Sequence, residues 1–175
     1  MDESIINKLI NNIKESNLNK SSYWKKHLPD DSDFLNHFKH LGFGAFTKKS
    51  PKNFIHNILI KIIFGNKVFK TKTFQAYKSE FDKISRYIDI DTIRHIFTFE
   101  KIKEHINPKT ICIIGDGKLN GVLGAHLTFP SSKIYSINLS EVLINDYINL
   151  NKMNINIKNS LELVDGIILL VKIKY

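Results

Sequence analysis

The chain has one cysteine and no long apolar run. A single cysteine excludes a disulfide within the chain, so the sequence favours a reducing compartment and we expect a cytoplasmic protein. A membrane-spanning helix needs about 20 apolar residues in succession, and the apolar runs here are far shorter. The first residues, MDESIINKLINN, also lack the basic segment and apolar core of a secretory signal. We therefore expect no membrane span.

Arginine is nearly absent, although the chain carries a formal net charge of +9. Arg86 and Arg94 are its only arginines, and the lysines are scattered along the whole sequence. Arginine is the side chain that favours bidentate contacts with phosphate and guanine. An AT-rich genome would by itself produce this excess of lysine, isoleucine and asparagine. The composition therefore disfavours a nucleic-acid partner, while a non-catalytic basic interaction module stays open as an alternative.

The N-terminal part of the chain shows helical patterning. Residues 3–16 place apolar side chains on one helical face. These side chains are Ile5, Ile6, Leu9, Ile10 and Ile13. Residues 53–64 are strongly apolar and predict a buried helix or a buried strand, and residues 73–106 predict two or three helices with a break around Asp89–Asp91. We therefore predict a helical N-terminal region at residues 1–107.

Strand and helix patterns alternate in residues 108–175. The predicted elements are a strand at 110–114, a helix at 122–129, a strand at 133–139, a helix at 140–151 and a strand at 167–173. This order is typical of a parallel α/β sheet with right-handed crossovers. We expect the first strand to be buried on both faces, which would make Cys112 a small core residue.

Two glycines directly follow the first predicted strand. Gly115 and Gly117 stand in the stretch ICIIGDGKLNG, where glycine permits a positive φ and lets a ligand approach the backbone. The spacing G-x-G-x-x-x-G is one residue longer than the dinucleotide fingerprint. Asn138 ends the second strand, near the expected place of a ribose-binding residue. A simple strand-to-helix turn for the glycines, and a helix cap for Asn138, stay open as alternatives.

The stretches IIGDGKLNGVLGAHL and KIYSINLSEVL resemble the first two motifs of class I S-adenosylmethionine-dependent methyltransferases. The resemblance covers residues 110–150 and implies an α/β fold with the first strands of a Rossmann-like methyltransferase sheet. It implies S-adenosyl-L-methionine as the cofactor. The cofactor-binding residues that it implies are Gly115, Asp116 and Gly117 at the methionine and ribose end, Asn138 at the ribose hydroxyls, and Leu139 beside the adenine.

The sequence departs from the family motifs at three positions. Ile113 stands where the family often has an acidic residue, Leu119 stands in place of the third glycine, and Asn138 replaces a carboxylate. Gly121 follows two residues after the expected third glycine. Losing one charge-assisted hydrogen bond costs roughly 1.5–3 kcal/mol, or about tenfold to hundredfold in affinity. We therefore expect the isolated chain to bind the cofactor weakly.

The N-terminal half, with Tyr23-Trp24 and the segment LGFGAF, resembles bacterial sugar O-methyltransferases. That resemblance implies methyl transfer to an oxygen of a small-molecule or glycan acceptor. Residues 110–175 are too few for a full methyltransferase sheet, so we expect an incomplete sheet that depends on a missing C-terminal half or a partner chain. An enzyme that binds NAD or a nucleotide sugar through a degenerate glycine loop is the alternative.

Other chemical motifs are weak or missing in the sequence. Asp33, His37 and His40 form a loose cluster, but a zinc site needs three or four convergent ligands and no second cluster follows. We therefore expect no metal. His126 is predicted to be a partly buried helix histidine. The sequence contains no P-loop and no serine-hydrolase signature, and it identifies no catalytic base.

Overall fold

The computed structural model describes residues 3–16, 51–155 and 161–165. The N-terminal part of the described chain is helical, as predicted. Its elements are α1 (Glu3–Ser16), α2 (Pro51–Phe64), a single 3-10 turn (Val68–Lys70), α3 (Lys72–Lys83) and α4 (Ile90–His105). In α1 the predicted apolar face is the packed face, because Leu9 and Ile13 are buried.

Side-chain caps explain where α3 and α4 begin. The hydroxyl of Thr71 accepts a hydrogen bond from the backbone N–H of Phe74, and Asp89 accepts one from the N–H of Thr92. Between the two helices the chain turns at Ser85, whose φ is 54°. The predicted break around Asp89–Asp91 is confirmed in part: residues 84–89 separate the two helices, whereas Asp91 already lies in α4, which Asp89 caps.

Three parallel strands and two helices follow. They are β1 (Thr110–Ile114), α5 (Asn120–Thr128), β2 (Lys133–Asn138), α6 (Ser140–Lys152) and β3 (Leu161–Asp165). The strand order is β1-β2-β3, with Ile114 opposite Ile137 and Asn138 opposite Asp165. The predicted α/β class with a parallel sheet is confirmed. The sequence did not predict β3, and the strand expected at residues 167–173 lies outside the described residues.

Helices cover one face of the sheet. Residues of β2 alternate between buried and more exposed positions, with Ile134, Ser136 and Asn138 on the covered face. On the opposite face of β1, Cys112 is exposed and Ile114 is 76% exposed. The predictions that β1 is buried on both faces and that Cys112 lies in the core are wrong. The physical reason is that α5 and α6 both pack on the face of the sheet to which Ile111 and Ile113 point, while Cys112 and Ile114 point to the other face.

The segment predicted at residues 53–64 to be a buried helix or strand is the helix α2, but most of it is not buried. Ile60 is buried, whereas Ile55, Ile62 and Ile63 are 61%, 73% and 62% exposed. Their spacing places them on one outward stripe of α2, while the inward side packs against α4, where the rings of Phe64 and Phe97 meet. Apolar composition therefore overestimated the burial of this helix.

One hydrophobic core joins the helical region to the α/β part. Val122 and Leu123 of α5 lie in its centre, and helices from both parts pack around them. The buried partners include Tyr77 and Phe81 of α3, Ile93 and Ile96 of α4, and Tyr147 and Leu150 of α6. The residues predicted to face inward from the last helix, Val142, Leu143, Tyr147 and Leu150, are all buried. Within the described ranges, no helix is long and apolar enough to cross a membrane.

Candidate functional site

The loop at residues 115–119, here called the glycine loop, lies at the carboxyl end of β1. The backbone N–H of Gly115 donates to the carbonyl of Ile137 at 2.9 Å, which holds the loop beside the end of β2. Gly115 has a φ of +73°, a conformation that L side chains rarely adopt. A Cβ added at Gly115 or at Gly117 would meet no described atom within 4 Å. The loop therefore presents open backbone at this edge of the sheet.

Two further glycines lie in the first turns of α5 and are tightly packed. A Cβ at Gly121 would lie 3.0 Å from Cγ2 of Ile113 and 3.2 Å from Oδ2 of Asp116. A Cβ at Gly124 would overlap the hydroxyl of Tyr77 and the ring of Phe99. Gly121 thus serves the close approach of helix and strand that the third glycine serves in dinucleotide-binding folds. Gly124 lets the helical region reach the backbone of α5.

Leu119 has the backbone conformation of a glycine. Its φ of 62° and ψ of 10° lie in the left-handed region, and its side chain is 1% exposed. For an L residue this conformation costs about 1–2 kcal/mol. Leu119 is the residue that stands in place of the third glycine in the motif resemblance described above. The chain path at this position therefore suits glycine, although the sequence has leucine.

Asp116 directs its carboxylate toward the start of α5. Its Oδ1 accepts the N–H of Asn120 at 3.0 Å, and its Oδ2 accepts the N–H of Val122 at 2.8 Å. The residue is 9% exposed. These amides are among the donors that a helix leaves free at its N-terminus, where anions bind. The anion at the N-terminus of α5 is therefore a side chain of the protein itself.

Asn138 ties the ends of β1 and β2 together. Its Nδ2 donates to the carbonyl of Asp116 at 3.1 Å, and its Oδ1 accepts the N–H of Leu139 at 3.0 Å. Asn138 is 8% exposed, and Leu139, which precedes α6, is half-buried. All five residues predicted from the sequence to bind a cofactor thus lie together at one edge of the sheet. Their roles in binding stay predictions.

The region behind the glycine loop holds buried ionisable side chains. Asp146 on α6 is fully buried, and neither of its carboxylate oxygens has a hydrogen-bond partner among the described residues. Burial raises the pKa of Asp146 well above its ordinary value, and the negative charge of Asp116 raises it further, while Arg86 lowers it. Burial also raises the pKa of Tyr77, again with a contribution from Asp116. The loop is thus backed by an acidic interior with one buried arginine.

The structure adds residues that the sequence did not point to. Tyr77, Arg86 and Thr92 come from the helical region and contact the glycine loop or the first residue of α5. The sequence carried one weak signal for this, namely that Arg86 is one of only two arginines. No local pattern relates position 86 to position 118, so this contact could not be predicted.

The remaining candidates carry no site within the described residues. His126 is half-buried on α5, as predicted, and burial lowers its pKa. His37 and His40 lie outside the described residues. In the ranges that the structure describes, no group of three histidine, cysteine or acidic side chains could hold a metal ion. Comparison of the chain with protein-family models, with curated proteins and with solved structures found no match.

Proposed function

We propose that the glycine loop binds S-adenosyl-L-methionine and that the protein takes part in methyl transfer to an oxygen of a sugar or glycan. One observation carries this proposal. The open backbone of Gly115 and Gly117 lies beside Asn138, at the carboxyl edge of two neighbouring parallel strands. In open α/β sheets this edge is where ligands bind. The acceptor class rests on the resemblance of the N-terminal half described above.

The position of Asp116 favours S-adenosylmethionine over a dinucleotide as the ligand. In dinucleotide-binding folds the pyrophosphate lies on the N-terminus of the helix that follows the first strand. In this protein the carboxylate of Asp116 already accepts the N–H groups of Asn120 and Val122. A phosphate brought to the same place would lose those donors and would meet a negative charge. This favours a ligand without phosphate groups over NAD or a nucleotide sugar.

The carboxylate of Asp116 agrees with a cationic ligand. S-adenosylmethionine carries a positive sulfonium and an ammonium group beside its own carboxylate. Asp116 lies in the glycine loop and is 9% exposed. Negative charge near a cationic ligand lowers its free energy of binding when the pair is shielded from water.

The chemistry asks little of the protein beyond alignment. Gly115, Gly117 and Asn138 would hold the cofactor, and its sulfonium would supply an electrophilic methyl group to an acceptor oxygen. Holding the two reactants in line removes much of the entropic barrier. The open backbone at Gly115 and Gly117 would serve that alignment.

Ligand titration tests the proposal. S-adenosylhomocysteine and NAD are titrated separately into the full chain by calorimetry and by saturation-transfer NMR. We expect weak but specific binding of S-adenosylhomocysteine, reduced roughly tenfold to hundredfold by the missing charged contacts. Micromolar affinity of the isolated chain would contradict the expected weakness. Binding of NAD alone would refute the cofactor assignment.

A pair of variants localises the binding. Gly117→Leu places a side chain in the open space of the glycine loop and should abolish the signal. Ser131→Leu adds the same side chain at an exposed turn before β2, at the opposite edge of the sheet, and should leave the signal unchanged. Equal signals from both variants would refute the site. Salt-dependent binding to RNA or anionic glycans, without any cofactor signal, would favour the basic interaction module.

A further inference from the structure

Arg86 reaches the glycine loop from the helical region. It lies between α3 and α4, is 5% exposed, and stacks over the ring of Phe81 with its guanidinium carbon 4.2 Å from the ring centroid. Its Nη1 donates to the carbonyl of Lys118, and its Nη2 donates to Oδ1 of Asn120 at 2.8 Å. One planar guanidinium thus holds the residues on both sides of Leu119.

Three other side chains of the helical region hold the same two residues. The hydroxyl of Tyr77 donates to the carbonyl of Asn120. The hydroxyl oxygen of Thr92 lies 2.8 Å from Oδ1 of Asp89 and 3.2 Å from Oδ1 of Asn120. The ammonium group of Lys118 lies 2.6 Å from Oδ2 of Asp91. The end of the glycine loop is therefore attached to α3, to α4 and to the segment between them.

These contacts enclose a strained residue. Leu119 keeps its left-handed conformation between Lys118 and Asn120, the two residues that Arg86 holds. A strained backbone persists only where its surroundings over-determine it, and such residues concentrate at ligand sites. Without the arginine, the carbonyl of Lys118 and the side chain of Asn120 would each lose a charged hydrogen bond. The backbone at Leu119 could then relax toward an ordinary conformation.

The pKa of Arg86 is lowered overall, because burial outweighs the effect of the neighbouring acids. Burial lowers its pKa, while the carboxylates of Asp89, Asp116 and Asp146 raise it. These three acids come from the start of α4, the glycine loop and α6. Arg86 is therefore the positive centre at which these elements meet. Its Nε has no hydrogen-bond partner among the described residues, so its two Nη groups carry the directional contacts.

We propose that Arg86 is a positioning residue that holds the glycine loop in the conformation that receives the cofactor. The contacts above support the statement that Arg86 holds the loop. The effect of Arg86 on cofactor binding rests on the proposed function. The helical region is then part of the cofactor site, because it supplies the side chain that shapes the loop.

Hydrogen exchange of the ligand-free full chain tests the positioning role. The reporters are the amides of Asn120 and Val122, which bond to Asp116, and the reference is the amides of α6. Arg86→Met should accelerate exchange at the reporters by about tenfold or more relative to α6, since it removes two charged hydrogen bonds. Arg94→Met is the matched control, because Arg94 is the other arginine and its side chain is 65% exposed.

Two milder variants keep the test decisive if Arg86→Met does not fold. Arg86→Lys retains the charge but cannot present two parallel donors, so it should loosen the reporters by several-fold. Lys118→Met removes the ion pairs of Lys118 with Asp91 and Asp89 but keeps the contacts of Arg86, so it should loosen the reporters less. If the Arg86 variants fold and their reporter amides exchange at the rate of the unmodified chain, the proposal is overturned.

A parallel titration with S-adenosylhomocysteine separates the two proposals. If the unmodified chain binds it, Arg86→Lys should weaken binding by roughly tenfold through the displaced loop. Faster exchange in a chain that never binds the ligand would refute the proposed function and keep the positioning role. Ligand binding with unchanged exchange and unchanged affinity in Arg86→Lys would refute the positioning role and keep the proposed function.

Discussion

Two pairs of glycines within ten residues serve opposite purposes in this protein. Gly115 and Gly117 lie in the glycine loop, where a side chain would meet no atom of the described residues within 4 Å of its Cβ. Gly121 and Gly124 lie in α5, where that space is already filled by Ile113, Asp116 and the aromatic side chains of the helical region. The same residue type therefore keeps a surface open in one place and lets elements pack closely in the other.

The close packing at Gly124 explains why the glycine loop contacts the helical region. Gly124 allows Tyr77 and Phe99 to reach the backbone of α5, and this brings α3 and α4 close to the end of the glycine loop. From there Tyr77 and Arg86 can bond to residues 118–120. Close packing at one end of the glycine-rich stretch thus supports the open backbone at the other.

Among the glycine substitutions, the largest effect is expected at Gly124. Alanine normally stabilises a helix interior by about 1 kcal/mol relative to glycine. At Gly124 its Cβ would overlap Tyr77 and Phe99, and overpacking of this kind costs typically 1–3 kcal/mol or more. We expect Gly124→Ala to lower the free energy of unfolding by about 2 kcal/mol in urea denaturation. Ser79→Ala, at an exposed position of α3, is the control and should change it by less than about 0.5 kcal/mol. A stabilised Gly124→Ala variant would show that close packing at position 124 does not require glycine.

Alanine substitutions at the two loop glycines should change the free energy of unfolding by different amounts. Gly115→Ala places an L side chain at a φ of +73° and should destabilise the protein by about 1 kcal/mol. Gly117→Ala meets neither a positive φ nor a described neighbour, so its stability should stay within about 0.5 kcal/mol of the unmodified chain. Thermal denaturation of the pair measures the difference. Equal losses of stability in the two variants would show that the backbone conformation requires glycine at both positions.

The smallest expected difference is at Leu119. Leu119→Ala and Leu119→Gly both lose the buried branched end of the leucine side chain, which costs about 2–5 kcal/mol in each variant. At an ordinary φ, alanine would be the more stable of the two. At a φ of 62° glycine avoids the strain, so Leu119→Gly should exceed Leu119→Ala by about 0.5–1 kcal/mol. The usual order, with alanine more stable, would show that Leu119 is not strained.

Most of the regular elements in the described part were predictable from local patterns. The strand at Thr110–Ile114 was predicted with the same bounds, and α6 differs from its prediction by one residue. Strand periodicity, caps and glycine are local properties, so they can be recognised without a partner. The strand β3 was missed, because Leu161–Asp165 is short and carries two acidic residues.

Burial was harder to predict than element type. Cys112 and the outward stripe of α2 were expected in the core and are exposed. Apolar composition shows that a segment can be buried, but not which neighbour covers it. In β1 the helices that cover the sheet all lie on one face, and this depends on the path of the chain after the strand.

The sequence by itself determined the parallel strand–helix–strand order and the place of the glycine loop, because these follow from side-chain periodicity and from the φ values that glycine alone adopts easily. Only the tertiary structure decided that Asp116 caps α5, that Asn138 joins two strand ends, and that Arg86 holds the loop. Arg86 and Lys118 are 32 residues apart, and their contact exists only because α3, α4 and α5 pack around one core.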